Sequence, residues 1–229
     1  MMAAPKLTLT TLERLADSVA SVNIFLVTDD NMDSAMPSGD RPYHHGNLRQ
    51  ALVDAAVELA REGGPDAIVV REASRRVGVS HNAAYRHFPD RGALLEAVCD
   101  EYMSALGRLM EERVAALGKS RSKRSAVLRF RATGQAYVEF ALAEPGWFRT
   151  AFAVPLHRPG PYQILAAQLD GLVAAGVLPA ERRPLAEIPA WAGVHGFASL
   201  ALDGPLRHAS AQEREAGLTR VLDNIERGL

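Results

Sequence analysis

The stretch "VGVSHNAAYRHFPD", Val77 to Asp90, decides how this chain is read. Ahead of it Val70, Ala73 and Val77 fall at i, i+3 and i+7, the inner face of a short helix. Gly78 then stands where a helix can end in the left-handed conformation without a Cβ penalty. Ser80 has the side chain to cap the first turn of a second helix. The spacing predicts helices over 70–77 and 81–87 joined by a three-residue turn, the proportions of a helix-turn-helix. Asp90 offers the N-cap of the helix that follows.

Facial sorting gives the second helix a chemistry. Ala84 and Phe88 (i, i+4) face a core, whereas 81/85 and 82/86 pair His81, Asn82, Tyr85 and Arg86 on the opposite side. Asn can bond an adenine edge twice, and Tyr, His and Arg hold phosphate oxygens. From Arg71 to Arg91 there are five arginines and two acids, a local charge of +3 in a chain of formal net charge −1. Attraction to phosphate is thus focused on the candidate reading helix. A solvated helix face has the same polarity; the glycine hinge, the serine cap and the facial sorting favour nucleic acid over it.

Outward from this motif the chain reads as all-α. Leu48, Leu52, Ala55, Ala56, Leu59 and Ala60 form one helical stripe ending before Gly63-Gly64-Pro65. Further helices are expected over 90–117, 124–144, 147–153, 162–176, 184–203 and 210–228, with breaks at the Gly and Pro positions between them. No stretch sustains period-2 alternation; "AIVV" (67–70) is strand-like but too short and isolated to found a sheet. Residues 1–43 are expected to be a poorly ordered extension, with Met32 or Met36 as an alternative start, followed by a helix-turn-helix domain over 44–90 and a helical domain over 91–229. The 229 residues, 48% apolar, suffice for such cores. One cysteine, Cys99, precludes an intramolecular disulfide and suits a reducing cytoplasm. No run of 18 apolar residues exists, so no membrane partner is expected.

Residues 47–98, from "NLRQALVDAAVELA" through "VREASRRVGVSHNAAYRHFPD" to "LLEAV", resemble the N-terminal DNA-binding domain of the tetracycline-repressor (TetR) family. The resemblance implies that Tyr85 and His87 contact the DNA backbone and that Ser80, His81, Asn82 and Ala83 lie near the major groove. Arg91 matches a position where the family carries a phosphate-binding lysine, and Arg71 on the preceding helix completes the candidate DNA-binding set. Three positions depart from the family pattern. Val69 stands where Ser or Thr usually caps the second helix, a loss of about 1 kcal/mol. Ala73 replaces a larger aliphatic residue, and Asn82 stands where glycine is frequent, which makes it the favoured base reader. Before the motif, Arg41 on "RPYHHGNLR" reads as a solvated arm with minor-groove reach as the alternative, and His44-His45 lack a third ligand, so no metal is expected.

In the second half, "GQAYVEFALAEPGWFRTAFAVP" gathers Tyr137, Phe140, Trp147, Phe148 and Phe152 in a chain only 6% aromatic. Core packing and a small-molecule pocket both fit that cluster. "WAGVHGFASL" (191–200) adds Trp191 and His195 at i, i+4, completing the candidate ligand-binding set, and resembles the Trp-His-Gly signature of one C-terminal domain type in the family. That resemblance implies a homodimer through the last two helices, with Gly193, Gly196, Leu218, Val221, Leu222 and Ile225 as candidate interface residues. "GKSRSKRSAVLRFR" (118–131) holds six basic residues and no acid, and reads as a solvated loop and helix start. The implied function is a regulator, most simply a repressor, that binds a double-stranded DNA operator and is released by a small-molecule effector, with no cofactor. An enzyme is disfavoured by the lack of a G-x-S-x-G, H-E-x-x-H, C-x-x-C or glycine-rich phosphate loop. A helical interaction protein without DNA binding is the alternative that the missing cap at Val69 leaves open.

Overall fold

The structure, a computed structural model, describes residues 48–153 and 160–229. The expected extension, Arg41 and His44-His45 lie outside the described residues. Nine α-helices and no strand occur among the described residues: α1 (Leu48–Gly63), α2 (Val70–Val77), α3 (His81–Tyr85), α4 (Arg91–Ala115), α5 (Lys123–Ala143), α6 (Pro145–Ala151), α7 (Gly160–Ala174), α8 (Glu187–Leu202) and α9 (Ala211–Gly228). None of these is long and apolar enough to cross a membrane.

Local chemistry explains the boundaries. Gly78 ends α2 at φ 75°, in the left-handed region that favours glycine. The Ser80 hydroxyl accepts the Ala83 N–H at 3.3 Å and starts α3, and the Asp90 carboxylate accepts the Ala93 N–H at 2.8 Å and starts α4. Ser122 caps α5, and Ser210 with Glu213 forms a reciprocal capping box on α9. At α2 the backbone starts from an extended Val69 with no side-chain cap. The reading helix is shorter than the spacing predicts: α3 ends at Tyr85, two residues before His87. The chain must extend at Phe88, because a residue before proline is driven out of the helical region, and the N–H groups of His87 and Phe88 close the turn on the Ala84 carbonyl.

The apolar core is continuous from α1 to α9. Leu52, Ala56, Ile68, Val70, Ala73, Ala84 and Phe88 pack the first three helices together and onto Leu94 and Val98 of α4. The same core runs on through Tyr102, Leu106, Ala136, Phe140, Trp147, Phe197 and Leu222. A smaller cluster of α5, α7 and α8 residues (Phe130, Leu165, Leu169, Ala190) lies beside it.

One junction ties the first helix to the second half of the chain. The Arg61 guanidinium donates to both oxygens of Glu144, at 2.8 and 2.9 Å, and lies 5.0 Å from the Trp147 ring centroid. Next to it Gly146 brings the start of α6 onto the end of α1: a Cβ there would overlap the Ala60 carbonyl oxygen and stand 2.6 Å from that of Arg61. The basic 118–131 segment folds partly onto itself, with Arg129 donating to the Ser120 carbonyl and the Ser125 hydroxyl, and Arg131 pairing with Asp223 and Glu226.

Candidate functional site

Helix α3 presents the predicted face. Ala84 and Phe88 are 0% and 1% exposed and fix the helix on the core, which leaves His81, Asn82, Tyr85, Arg86 and His87 at the surface. The His81 and Tyr85 rings meet edge-on with centroids 4.5 Å apart, so each holds the other's orientation. Among the described residues the Asn82 amide makes no side-chain hydrogen bond and keeps its donor and acceptor for an outside partner. Ser80 is occupied as the cap, and Ala83 is half-buried.

The positive charge is more focused than composition suggests. Glu72 receives the Arg75 guanidinium at 2.6 Å, and Glu62 receives that of Arg76 at 2.5 Å. Arg71 and Arg86 are exposed and have no ion pair among the described residues. Arg91, with a side chain 46% exposed, is also engaged within the chain. Its Nε donates to the Ile68 carbonyl at 2.9 Å and its Nη2 to that of Pro65 at 2.5 Å, so the side chain braces the loop that leads into α2. Arg71, His81, Asn82, Tyr85, Arg86 and His87 are therefore the exposed polar residues of this motif whose side chains make no hydrogen bond or ion pair among the described residues.

The second candidate site splits in two. Tyr137 and Trp191, together with Met110, Phe130, Thr133, Leu165 and Leu222, line a crevice between α4, α5, α7, α8 and α9. Its free space for the centre of a water molecule is about 20 Å³, room for a water or so and far less than a ligand pocket needs. Phe140, Trp147, Phe148, Phe152 and His195 lie outside that lining and join an aromatic nest. Tyr137 shares a 2.8 Å hydrogen bond with His195 Nδ1, and the rings of Phe148 and Phe152 lie 5.5 and 4.6 Å from the imidazole. Trp147 is fixed by donating its indole N–H to the Val98 carbonyl at 3.2 Å. Tyr102 of α4, which the sequence reading did not single out, sits at the centre: its ring is 5.0 Å from Phe140, 5.5 Å from Trp147 and 6.4 Å from both Phe148 and Phe152.

Burial sets the protonation of this nest. It pushes the Tyr137 phenol up and the His195 imidazole below its ordinary value of 6.5, so both are neutral at pH 7. For His195 the unfolded chain binds the proton more readily, so stability is complete above the unfolded value and declines as pH falls from there toward the folded one. Lowering pH from 7.5 to 5.5 is accordingly expected to reduce the melting temperature of the native chain more than that of a His195→Gln variant; equal losses in the two would rule this out. Cys99 is buried, and burial, with Asp100 and Glu96 adding, pushes its thiol up to about 12, the opposite of an activated nucleophile.

The expected interface residues are mostly covered within the chain. Leu222 is 2% exposed, and a Cβ on Gly193 would stand 2.7 Å from Ile225 Cδ1, so α9 already occupies the strip beside Gly193. Leu218, Val221 and Ile225 pack on the same core and keep only an edge at the surface. Gly196 is the exception, with open space where its Cβ would be. It shares the outward side of α8 with Ile188, Ala192 and Leu200, continued by Leu185 just before the helix; Leu185, Ile188 and Leu200 are 69%, 56% and 46% exposed.

Known proteins match both halves. Residues 52–98 fit the family described as bacterial regulatory proteins, tetR family, and residues 130–225 fit the tetracyclin repressor-like C-terminal domain. An HTH-type transcriptional repressor of Mycobacterium tuberculosis is 32% identical over 83 residues, 35% of this chain and 44% of that one. The chain spans less than half the length of the curated relatives it matches. A solved protein of unknown function from Rhodococcus sp. RHA1 is 30% identical with a TM-score of 0.65, covering 83% of this chain and 99% of that one. TetR from Acinetobacter baumannii, at 21% identity and a TM-score of 0.58 over 77% and 93% of the two chains, shares the fold. With both its helix-turn-helix and its C-terminal half matched, the chain belongs to the TetR family of bacterial transcriptional regulators.

Proposed function

We propose that the chain is a ligand-responsive repressor that binds a palindromic operator as a homodimer, with residues 44–90 as the DNA-binding domain and 91–229 as the effector and dimerisation domain. The exposed polar face of α3 carries this reading: Asn82 as base reader, with His81, Ser80 and Ala83 beside it at the groove floor, and Tyr85, His87, Arg71 and Arg86 on phosphates. Arg91 contributes by holding the loop before α2 and through its remaining donors. A recognition helix of five residues makes few contacts, so two copies spaced about one DNA turn apart are needed for useful affinity.

The outward strip of α8 supplies the dimer face in this reading. Leu185 is held at φ 61°, which costs a leucine roughly 1–2 kcal/mol, at the end of an exposed apolar stripe. Leu185, Ile188, Ala192, Gly196 and Leu200 then form the contact, flanked by the free edges of Leu218, Val221 and Ile225. An effector entering between α4, α5 and α8 releases DNA by binding better to a state in which the two α3 helices no longer match successive grooves. The test is an electrophoretic shift with the DNA flanking the coding sequence, in which an inverted repeat should be retarded with a steep salt dependence. A chain that retards no DNA at low salt would leave the helical interaction protein as the better description.

A further inference from the structure

The aromatic nest holds an unanswered hydrogen-bond donor. Tyr102 is 0% exposed, and its hydroxyl is the single buried side-chain polar atom among the described residues without a hydrogen-bond partner. Other buried polar groups on α4, α5 and α6 are satisfied. Thr133 donates to the Phe130 carbonyl, Thr150 to that of Gly146, and Cys99 to that of Thr150. An unpaired buried hydroxyl costs about 1–3 kcal/mol, so a tyrosine here in place of phenylalanine calls for a reason. Burial also holds the phenol well above its ordinary pKa of 10, which keeps it a donor at neutral pH.

Its surroundings restrict what can answer it. Tyr102 and the Tyr137–His195 pair face the same two rings, Phe148 and Phe152. Tyr137 and Trp191 belong both to the nest and to the adjoining crevice, whose lining contains no charged side chain. Glu144, the acid whose charge acts on the Tyr102 phenol, has both oxygens taken by Arg61. A charged ligand would lose its hydration here with no counter-charge, whereas flat apolar surface would find rings on several sides. Phe152 and Trp191 are only half-buried and are the rings able to move aside.

We infer that the effector is an uncharged, flat, largely apolar molecule with a hydrogen-bond acceptor, such as a ketone or ester carbonyl, that takes the Tyr102 hydroxyl proton into a hydrogen bond. This rests on the ligand-responsive reading above and specifies its chemistry. A site with a buried donor discriminates strongly against a ligand that leaves it unpaired.

Three matched probes test it by titration calorimetry without DNA: 2-acetylnaphthalene (ketone), 2-ethylnaphthalene (same shape, no acceptor) and 2-naphthoate (anion). The ketone is expected to bind at least tenfold more tightly than the ethyl compound, and the anion not at all at a hundredfold higher concentration. In Tyr102→Phe the ketone's advantage should shrink to within twofold while the ethyl compound binds as before. That variant should melt no lower than the native chain, because it removes an unpaired group. The proposal is overturned by tight binding of the anion, by no binding of the ketone, or by a ketone preference that survives Tyr102→Phe. If an anion instead binds and releases the operator, the repressor reading stands and this chemistry falls. If the ketone pattern holds in a chain that binds no DNA, the reverse is true.

Discussion

Gly146→Ala is expected to lower the melting temperature by about 6–12 °C, a loss of about 3 kcal/mol in a chain of this size. The reason is the identity of the atoms in the way. A Cβ at residue 146 meets the backbone carbonyls of Ala60 and Arg61, which no rotamer change can move, so α6 must lift off α1. Lifting it also pulls Glu144 from Arg61 and Trp147 from beneath the guanidinium. Gly171→Ala is the matched control, since a Cβ there meets nothing within 4 Å and a helix interior favours alanine by about 1 kcal/mol. Differential scanning fluorimetry on both variants decides the matter. A Gly146→Ala melting curve superposing on the native one would contradict the packing at this junction.

Ile188→Glu is the second large effect, and it is read in mass and affinity. A carboxylate at Ile188, near the start of the α8 stripe and 56% exposed within its own chain, cannot be buried against a second copy without losing its hydration, so the particle mass in light scattering should fall to that of one chain. Binding to an inverted repeat should weaken about 100-fold or more, because the second half-site contact ceases to be intramolecular. Leu222→Ala supplies the contrast. That side chain is buried in its own chain, so its truncation should cost about 2–5 kcal/mol of stability and leave the mass unchanged. A dimer that persists in Ile188→Glu and dissociates in Leu222→Ala would reverse the assignment.

These two cases also mark what was legible beforehand. Periodicity located the helices to within a few residues, since caps and breakers are local chemistry: Ser80, Asp90, Gly78 and Pro145 act on their own neighbours. The outward face of α3 was legible for the same reason, an i, i+4 rule applied to five residues. An apolar stripe, by contrast, announces that something covers it and not what. Of the expected interface residues Leu222 is buried in its own chain and Leu218, Val221 and Ile225 keep only an edge outside, whereas Gly196 faces open space beside Ile188 and Leu200, which the sequence reading did not single out. Tyr102 was invisible as a special position because its neighbours come from α5 and α6, tens of residues away. The bracing role of Arg91 was not legible, because only the folded loop brings the carbonyls of Pro65 and Ile68 within its reach.

Paired binding-site selections test most directly whether the exposed side of α3 reads base pairs. Native chain, Asn82→Ala and Tyr85→Phe are each offered a randomised inverted repeat, and affinities for the selected and scrambled sites are compared. Asn82→Ala is expected to lose about 1–3 kcal/mol of discrimination at one base pair per half-site. Tyr85→Phe should weaken binding to every sequence alike while the preferred site stays the same. An Asn82→Ala variant that selects the native site with native discrimination would contradict the account.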